Sequence, residues 1–137
     1  MGTFSSVEIQ MLWLSIVLGL AQLVLATLFS VGTRGMPWGL GMRDETAPPL
    51  NKTGARAERA FKNFLETFVF FLGAVFIAST MGKLNGWTAL GAQIYFWSRL
   101  AYAPAYILGI PVVRTLLWGA SLAGIVLILI YGVWPGM

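Results

Sequence analysis

Apolar positions in this chain come in long blocks. No charged residue separates Glu8 from Arg34, and none follows Arg114. Each block is longer than the about 20 apolar residues that cross a hydrocarbon core of about 30 Å, so each predicts a membrane-spanning helix. The middle of the chain is less uniform. The uncharged run Thr67 to Gly82 has 16 residues, about 24 Å as a helix, too short to cross unless it is extended back through Glu66 and Asn63. The block from Gly86 to Leu108 carries Arg99 in its interior. The pattern predicts helices over about 8–31, 56–81, 86–108 and 113–134. Between the first two lies a loop over about 32–55, marked by Gly-Met-Pro and Ala-Pro-Pro turn signals. The expected fold is an all-α membrane protein, a four-transmembrane-helix antiparallel bundle forming one domain over 1–137.

Composition agrees with the pattern. The chain is 58% hydrophobic and only 10% charged, against about a quarter charged in soluble domains. Cysteine and histidine are both absent, which removes thiolate and imidazole metal ligands and the usual general base, so no metal site is expected. The first block has no basic leader and exceeds the length of a signal-peptide core, so it is expected to stay attached.

The net charge of +4 is foremost a topology signal. Arg34, Arg43, Lys52, Arg56, Arg59 and Lys62 surround the first loop, Arg114 lies at the same end, and Lys83 stands alone at the other. The positive-inside rule puts the loop in the cytoplasm and both termini on the non-cytoplasmic side. No basic-aromatic surface pattern suggests nucleic acid, whereas contact of the loop with anionic membrane lipids is compatible with it.

Two polar stripes interrupt the apolar blocks. Arg56, Arg59, Asn63 and Glu66 fall within about 80° on the second helix, and Tyr95, Arg99, Tyr102 and Tyr106 share a sector of the third. Arg34 ends the first helix, and Arg114 with Thr115 opens the fourth. A mid-helix charge disfavours insertion by about 2.5–3.5 kcal/mol, so these groups need partners or water. Two arrangements satisfy that need: a structural Glu66–Arg99 ion pair, or a wet cleft open to the cytoplasm. Guanidinium forks suit carboxylates, Glu66 suits an amine, and Asn63 suits a peptide group, so a small zwitterion with more than one carboxylate would fit such a cleft. Tyr95 is expected to be structural, and Pro104 to bend the third helix or loosen its hydrogen-bond ladder. Gly73, Gly119 and Gly124 suggest close helix approach.

These residues resemble a known pattern. Arg59-Ala60-x-x-Asn63-x-x-Glu66 after Arg56, then Arg99 with Tyr106, then Pro111 and Arg114-Thr115, are similar to the signature of the MAPEG family, membrane-associated proteins in eicosanoid and glutathione metabolism. The likeness implies a homotrimer with glutathione held between subunits near the cytoplasmic side. Carried over by position, Arg59, Asn63, Glu66, Arg99, Tyr106 and Arg114 would hold the tripeptide, with Arg56, Tyr102, Thr115 and Arg34 beside it. Arg114 would stabilise the thiolate. Thr67 stands where the leukotriene-synthesising type has a tyrosine, and the likeness is to the short bacterial members, which implies a bacterial inner membrane. The implied activity is glutathione-dependent transfer or peroxidation on a hydrophobic small molecule. The alternatives are a non-catalytic lipid-binding or scaffold protein of the same fold and, more remotely, a proton-coupled exporter built on Glu66.

Overall fold

The computed structural model describes residues 6–44 and 46–135. Four long helices are present: α1 (Val7–Arg34), α3 (Lys52–Thr80), α4 (Gly86–Ile107) and α5 (Pro111–Ile128). A short helix, α2 (Met36–Leu40), follows α1, and a π-helical turn (Leu129–Val133) extends α5. The helix starts are written in the sequence. Ser6 accepts a bond from the Ile9 amide, Asn51 caps α3 through the Gly54 amide, and Asn85 with Thr88 forms a reciprocal capping box on α4. Each cap satisfies amides that a helix start would otherwise leave unpaired.

The predicted boundaries shift in one systematic way. α1 runs three residues past position 31 and α3 begins four before position 56, so much of the expected loop is helical. Its Gly-Met-Pro signal opens α2: Gly35 takes φ 89, and Pro37 occupies the first turn, where its missing amide is no loss. The expected fourth helix starts earlier, at Pro111, and gives way to the π turn after Ile128.

Contacts fix the directions of the helices. Arg34 of α1 lies by Glu58 of α3, and Gly19 lies against Phe64, so α1 and α3 run antiparallel. Asn63 meets Arg99 and Thr67 meets Tyr95, which makes α3 and α4 antiparallel; Gly91 against Gly124 does the same for α4 and α5.

The molecule is packed inside out relative to a soluble bundle. α1 buries Glu8, Met11, Ser15, Gly19, Gln22 and Ala26, steps of three and four that trace one helix face. Trp13, Leu20, Val24 and Leu28 of the same helix are exposed. Large apolar groups outward and small or polar groups inward is the arrangement lipid favours, because tails solvate Leu as well as a protein core does. α1, α3 and the Pro111–Val133 segment are long and apolar enough to cross a membrane. The protein is therefore a multi-pass integral membrane protein. α4 is more polar, and it keeps Thr88, Ser98 and Arg99 buried.

The apolar core gathers Phe71, Val75, Ala78, Tyr95, Ile125 and Ile128. Phe71 stacks on Tyr95 with ring centroids 4.1 Å apart, and the Tyr95 hydroxyl meets that of Thr67 at 3.1 Å. Tyr95 is thus a structural residue, as expected. At the end of the bundle away from the basic loop, Glu8 is buried and accepts a hydrogen bond from the Thr88 hydroxyl, a polar lock that its position at the edge of a charge-free run did not disclose.

Glycines divide by what they touch. A Cβ on Gly91 would lie 2.6 Å from the Gly124 carbonyl, and one on Gly124 would lie 2.5 Å from the Gly91 carbonyl and 2.9 Å from the Tyr95 amide. These are backbone atoms, so α4 and α5 would have to separate. Gly73 and Gly119 have nothing within 4 Å, so the close approach expected there is not found within the chain. Gly124→Ala should destabilise the folded protein by about 1–3 kcal/mol, while Gly119→Ala should leave it unchanged. Thermal unfolding of the two variants in detergent checks this, and equal midpoints would contradict the packing.

Candidate functional site

Antiparallel α3 and α4 bring the two polar stripes face to face. Down from the cytoplasm-predicted end, Arg56 Nη1 approaches the Ile107 carbonyl at 3.5 Å, Arg59 Nε donates to the Tyr106 hydroxyl at 3.1 Å, and Arg99 Nη1 donates to Asn63 Oδ1 at 3.0 Å. The Thr67–Tyr95 contact closes this ladder one turn below Asn63. Arg56 also fills the space beside Gly109, whose φ of 79 and lack of a side chain let the guanidinium sit within 3 Å of where a Cβ would be.

Arg99 is the deepest charge, 1% exposed. Its guanidinium lies over the Tyr102 ring at 4.1 Å and near the Phe64 ring at 5.8 Å. The ring faces offer negative potential to a cation that has left water. Even so, Nε and Nη2 are buried with no hydrogen-bond partner in the chain. Buried donors of a charged group are seldom left unpaired, so this cation can take further acceptors.

α5 completes the cluster. Arg114 lies over the Tyr106 ring at 4.9 Å, and Arg59 approaches the same ring at 5.9 Å, so Tyr106 stands between two cations. Asn63, Tyr102, Arg114, Thr115 and Trp118 line a cleft of about 180 Å³. Of the arginines only Arg114 lines it: Arg99 lies behind the Asn63 and Tyr102 walls, and Arg59 is held at Tyr106; among the described residues the one ion pair is Arg34 with Glu58, at 3.9 Å, so no carboxylate neutralises these three. Such a cleft favours an anion.

The expected residues are not all gathered here. The Glu66–Arg99 ion pair does not form: Asn63 holds Arg99, and Glu66, one turn on, is exposed on the outer edge of α3. Glu66 lies about 80° from Arg56 around the helix, so it turns away from α4, while Arg59, with its longer side chain, still reaches Tyr106. Arg34 stands apart from the cluster, with its Nε donating to the Pro48 carbonyl at 2.6 Å and Glu58 beside it. The Thr115 hydroxyl donates to the Pro111 carbonyl at 3.1 Å, so its proton is already engaged.

Trp118 and Phe64 join the site although each lies in an apolar run of the sequence. Trp118 lies four residues after Arg114, a spacing that puts both on one face of α5; Phe64 follows Asn63 directly, and nothing in its own pattern marks it as the floor beneath a cation. No cluster of three or more potential metal ligands forms among the described residues.

An all-α bundle that crosses the membrane more than once and gathers unneutralised arginines at one end defines a recognisable class. The chain belongs to the MAPEG family, whose family model matches residues 11–134. That membership associates the protein with eicosanoid and glutathione metabolism at membranes. No curated protein and no solved structure matches the chain.

If the Asn63–Arg99 bond anchors the site, Asn63→Ala should destabilise the fold by about 1–3 kcal/mol, because it strips a buried cation of its one hydrogen-bond acceptor in the chain. In an Arg99→Met background the same change should have little effect. A double-mutant cycle on thermal stability measures the difference, and additive effects would show that the two side chains act independently.

Proposed function

We propose that the protein is an integral membrane glutathione-dependent transferase or peroxidase. The observation that carries this is Arg114 lining a cleft with Asn63 and Tyr102, while Arg99 is held behind those two side chains and Arg59 meets the same Tyr106 ring as Arg114, none of the three in an ion pair among the described residues. Glutathione brings two carboxylates, an ammonium group and two peptide units. Arg99 keeps two unpaired donors that would suit one carboxylate in a fork geometry once the Asn63 and Tyr102 side chains that cover it move aside, and Asn63 itself suits a peptide group. Arg59, held by Tyr106, suits the other carboxylate.

On this reading α4 makes a fourth crossing, and three copies assemble so that a neighbouring subunit covers the open side of the cleft. The exposure of Glu66 supports that arrangement: a carboxylate on the outer edge of α3 reaches a ligand amine only when the ligand lies between α3 and something beyond it. The basic loop lies in the cytoplasm.

The thiol would supply the nucleophile. A cation beside sulfur favours the thiolate over the thiol, so no histidine is needed. We assign this role to Arg114, because it lines the cleft whereas Arg99 is buried behind it and the Thr115 proton is engaged by a backbone carbonyl. The second substrate, a hydrophobic electrophile or a lipid hydroperoxide, would approach from the bilayer. Transfer joins sulfur to the electrophilic carbon, either as a leaving group departs with the bond electrons and the thiol proton passes to water, or by addition to a double bond whose other carbon takes up a proton; peroxidation reduces the hydroperoxide to alcohol and water while two glutathiones become the disulfide. The engaged Thr115 proton equally suits a non-catalytic member of the same fold, in which the arginines bind lipid or join subunits.

Glutathione titrated into the purified protein should show ultraviolet thiolate absorbance at a lower pH than free thiol, whose midpoint is about 8.5. Arg114→Ala should move the midpoint back up, because the cation that favours the anion is gone, and Arg99→Met should weaken binding by about tenfold or more. A folded protein that binds no glutathione at millimolar concentration would reject the proposal. Loss of assembly in these variants without any thiol adduct would favour the non-catalytic form.

A further inference from the structure

The opposite face of α3 carries a second concavity that the arginine cleft does not use. At the basic end, α1, the α2 turn and α3 enclose a pocket of about 230 Å³ bordered by Arg34, Arg43, Glu58, Thr27 and Ser30. Toward the middle of the bundle, α1 and α3 leave an apolar groove of about 200 Å³ lined by Leu20, Leu65 and Phe68. Leu23 and Phe61 belong to the walls of both, so the two spaces adjoin, a polar one above an apolar one, as a single channel-like path along α1 and α3. Leu20 and Leu65 are exposed, so the groove opens on the outer face of the bundle.

The polar end is shaped by the backbone. Arg43 has φ 60, a left-handed conformation uncommon for a residue with a side chain, and its Nη2 donates to the Gly39 carbonyl at 3.0 Å. That turn carries Arg43 back toward Arg34 at the rim. Arg34 meets Glu58 at a long 3.9 Å, and both cations keep donors for another acceptor.

We propose that this channel binds one anionic glycerophospholipid of the bilayer, its phosphodiester at Arg34 and Arg43 and an acyl chain in the groove between α1 and α3. Charge complementarity selects the anion, and the apolar continuation selects an amphiphile. Glu58 repels a carboxylate and a phosphodiester alike, but it accepts hydrogen bonds from the hydroxyls of a glycerol head group, as the Thr27 and Ser30 hydroxyls also can, and a free fatty acid has none to give. A phosphodiester bearing glycerol therefore fits better than a free fatty acid. The site is separate from the arginine cleft and does not depend on its ligand.

Native mass spectrometry of the full-length protein, released from micelles doped in turn with phosphatidylglycerol, phosphatidylcholine or oleic acid, tests this. Phosphatidylglycerol should be retained about tenfold better than phosphatidylcholine, the ratio that one lost charge-assisted contact implies. Arg43→Gln, on an exposed turn, should reduce its retention toward the phosphatidylcholine level, and Leu23→Trp should do so by filling the junction of the two spaces. Helical content by circular dichroism would confirm that both variants fold. Equal retention of the two phospholipids, unchanged retention in both folded variants, or preference for oleic acid would each overturn the proposal.

Discussion

A guanidinium held inside a membrane bundle sets the terms for the rest of this structure. Arg99 is almost wholly removed from solvent, and a charge at that depth is unfavourable by several kcal/mol unless other groups replace water. Asn63 supplies a carbonyl oxygen, and Tyr102 and Phe64 supply ring faces. These contacts fix how far α3 slides along α4. Once Asn63 is level with Arg99, Thr67 meets Tyr95 one turn deeper and Arg59 meets Tyr106 nearer the loop. The position of Arg114 over Tyr106 then follows from the short connection between α4 and α5.

Close packing carries this register through the bundle. α4 and α5 touch backbone to backbone at Gly91 and Gly124, where side chains would hold the helices apart. Farther out, the π turn brings Gly132 against Thr88 and Ala78, and the Tyr131 carbonyl accepts a bond from Asn85 at 3.0 Å. With Glu8 bound to Thr88, the end opposite the basic loop is closed by polar contacts between elements distant in sequence. In lipid such contacts and tight van der Waals fit must do what the hydrophobic effect does in water.

The basic end is left open by contrast, and α3 divides it. Its face toward α4 presents Arg56, Arg59 and Asn63, and its outer edge presents Glu66; Glu58 turns toward α1. The proposed glutathione cleft and the proposed lipid channel thus lie on different sides of one helix. Both rest on the same physical fact: arginines near a membrane surface without enough carboxylates attract anions, and the apolar surroundings decide how much of an amphiphile can follow.

Much of this was legible in the chain before any contact was known. Charge-free blocks and their lengths gave the helices, since only a hydrogen-bonded helix can carry so many apolar residues through lipid. Periodicity put Arg56, Asn63, Arg99 and Tyr106 on facing stripes, and the motif residues pointed to the family. Residue spacing could not tell that Asn63 rather than Glu66 would hold Arg99, because both lie within one turn of the right depth and only the rotation of α3 against α4 separates them. Nor could it tell that Gly124 is indispensable while Gly119 is free, or that Arg34 turns to Glu58 and away from the cluster in its own chain. Sequence specifies what each helix can offer on each face; which face meets which neighbour is settled by packing among all the helices at once.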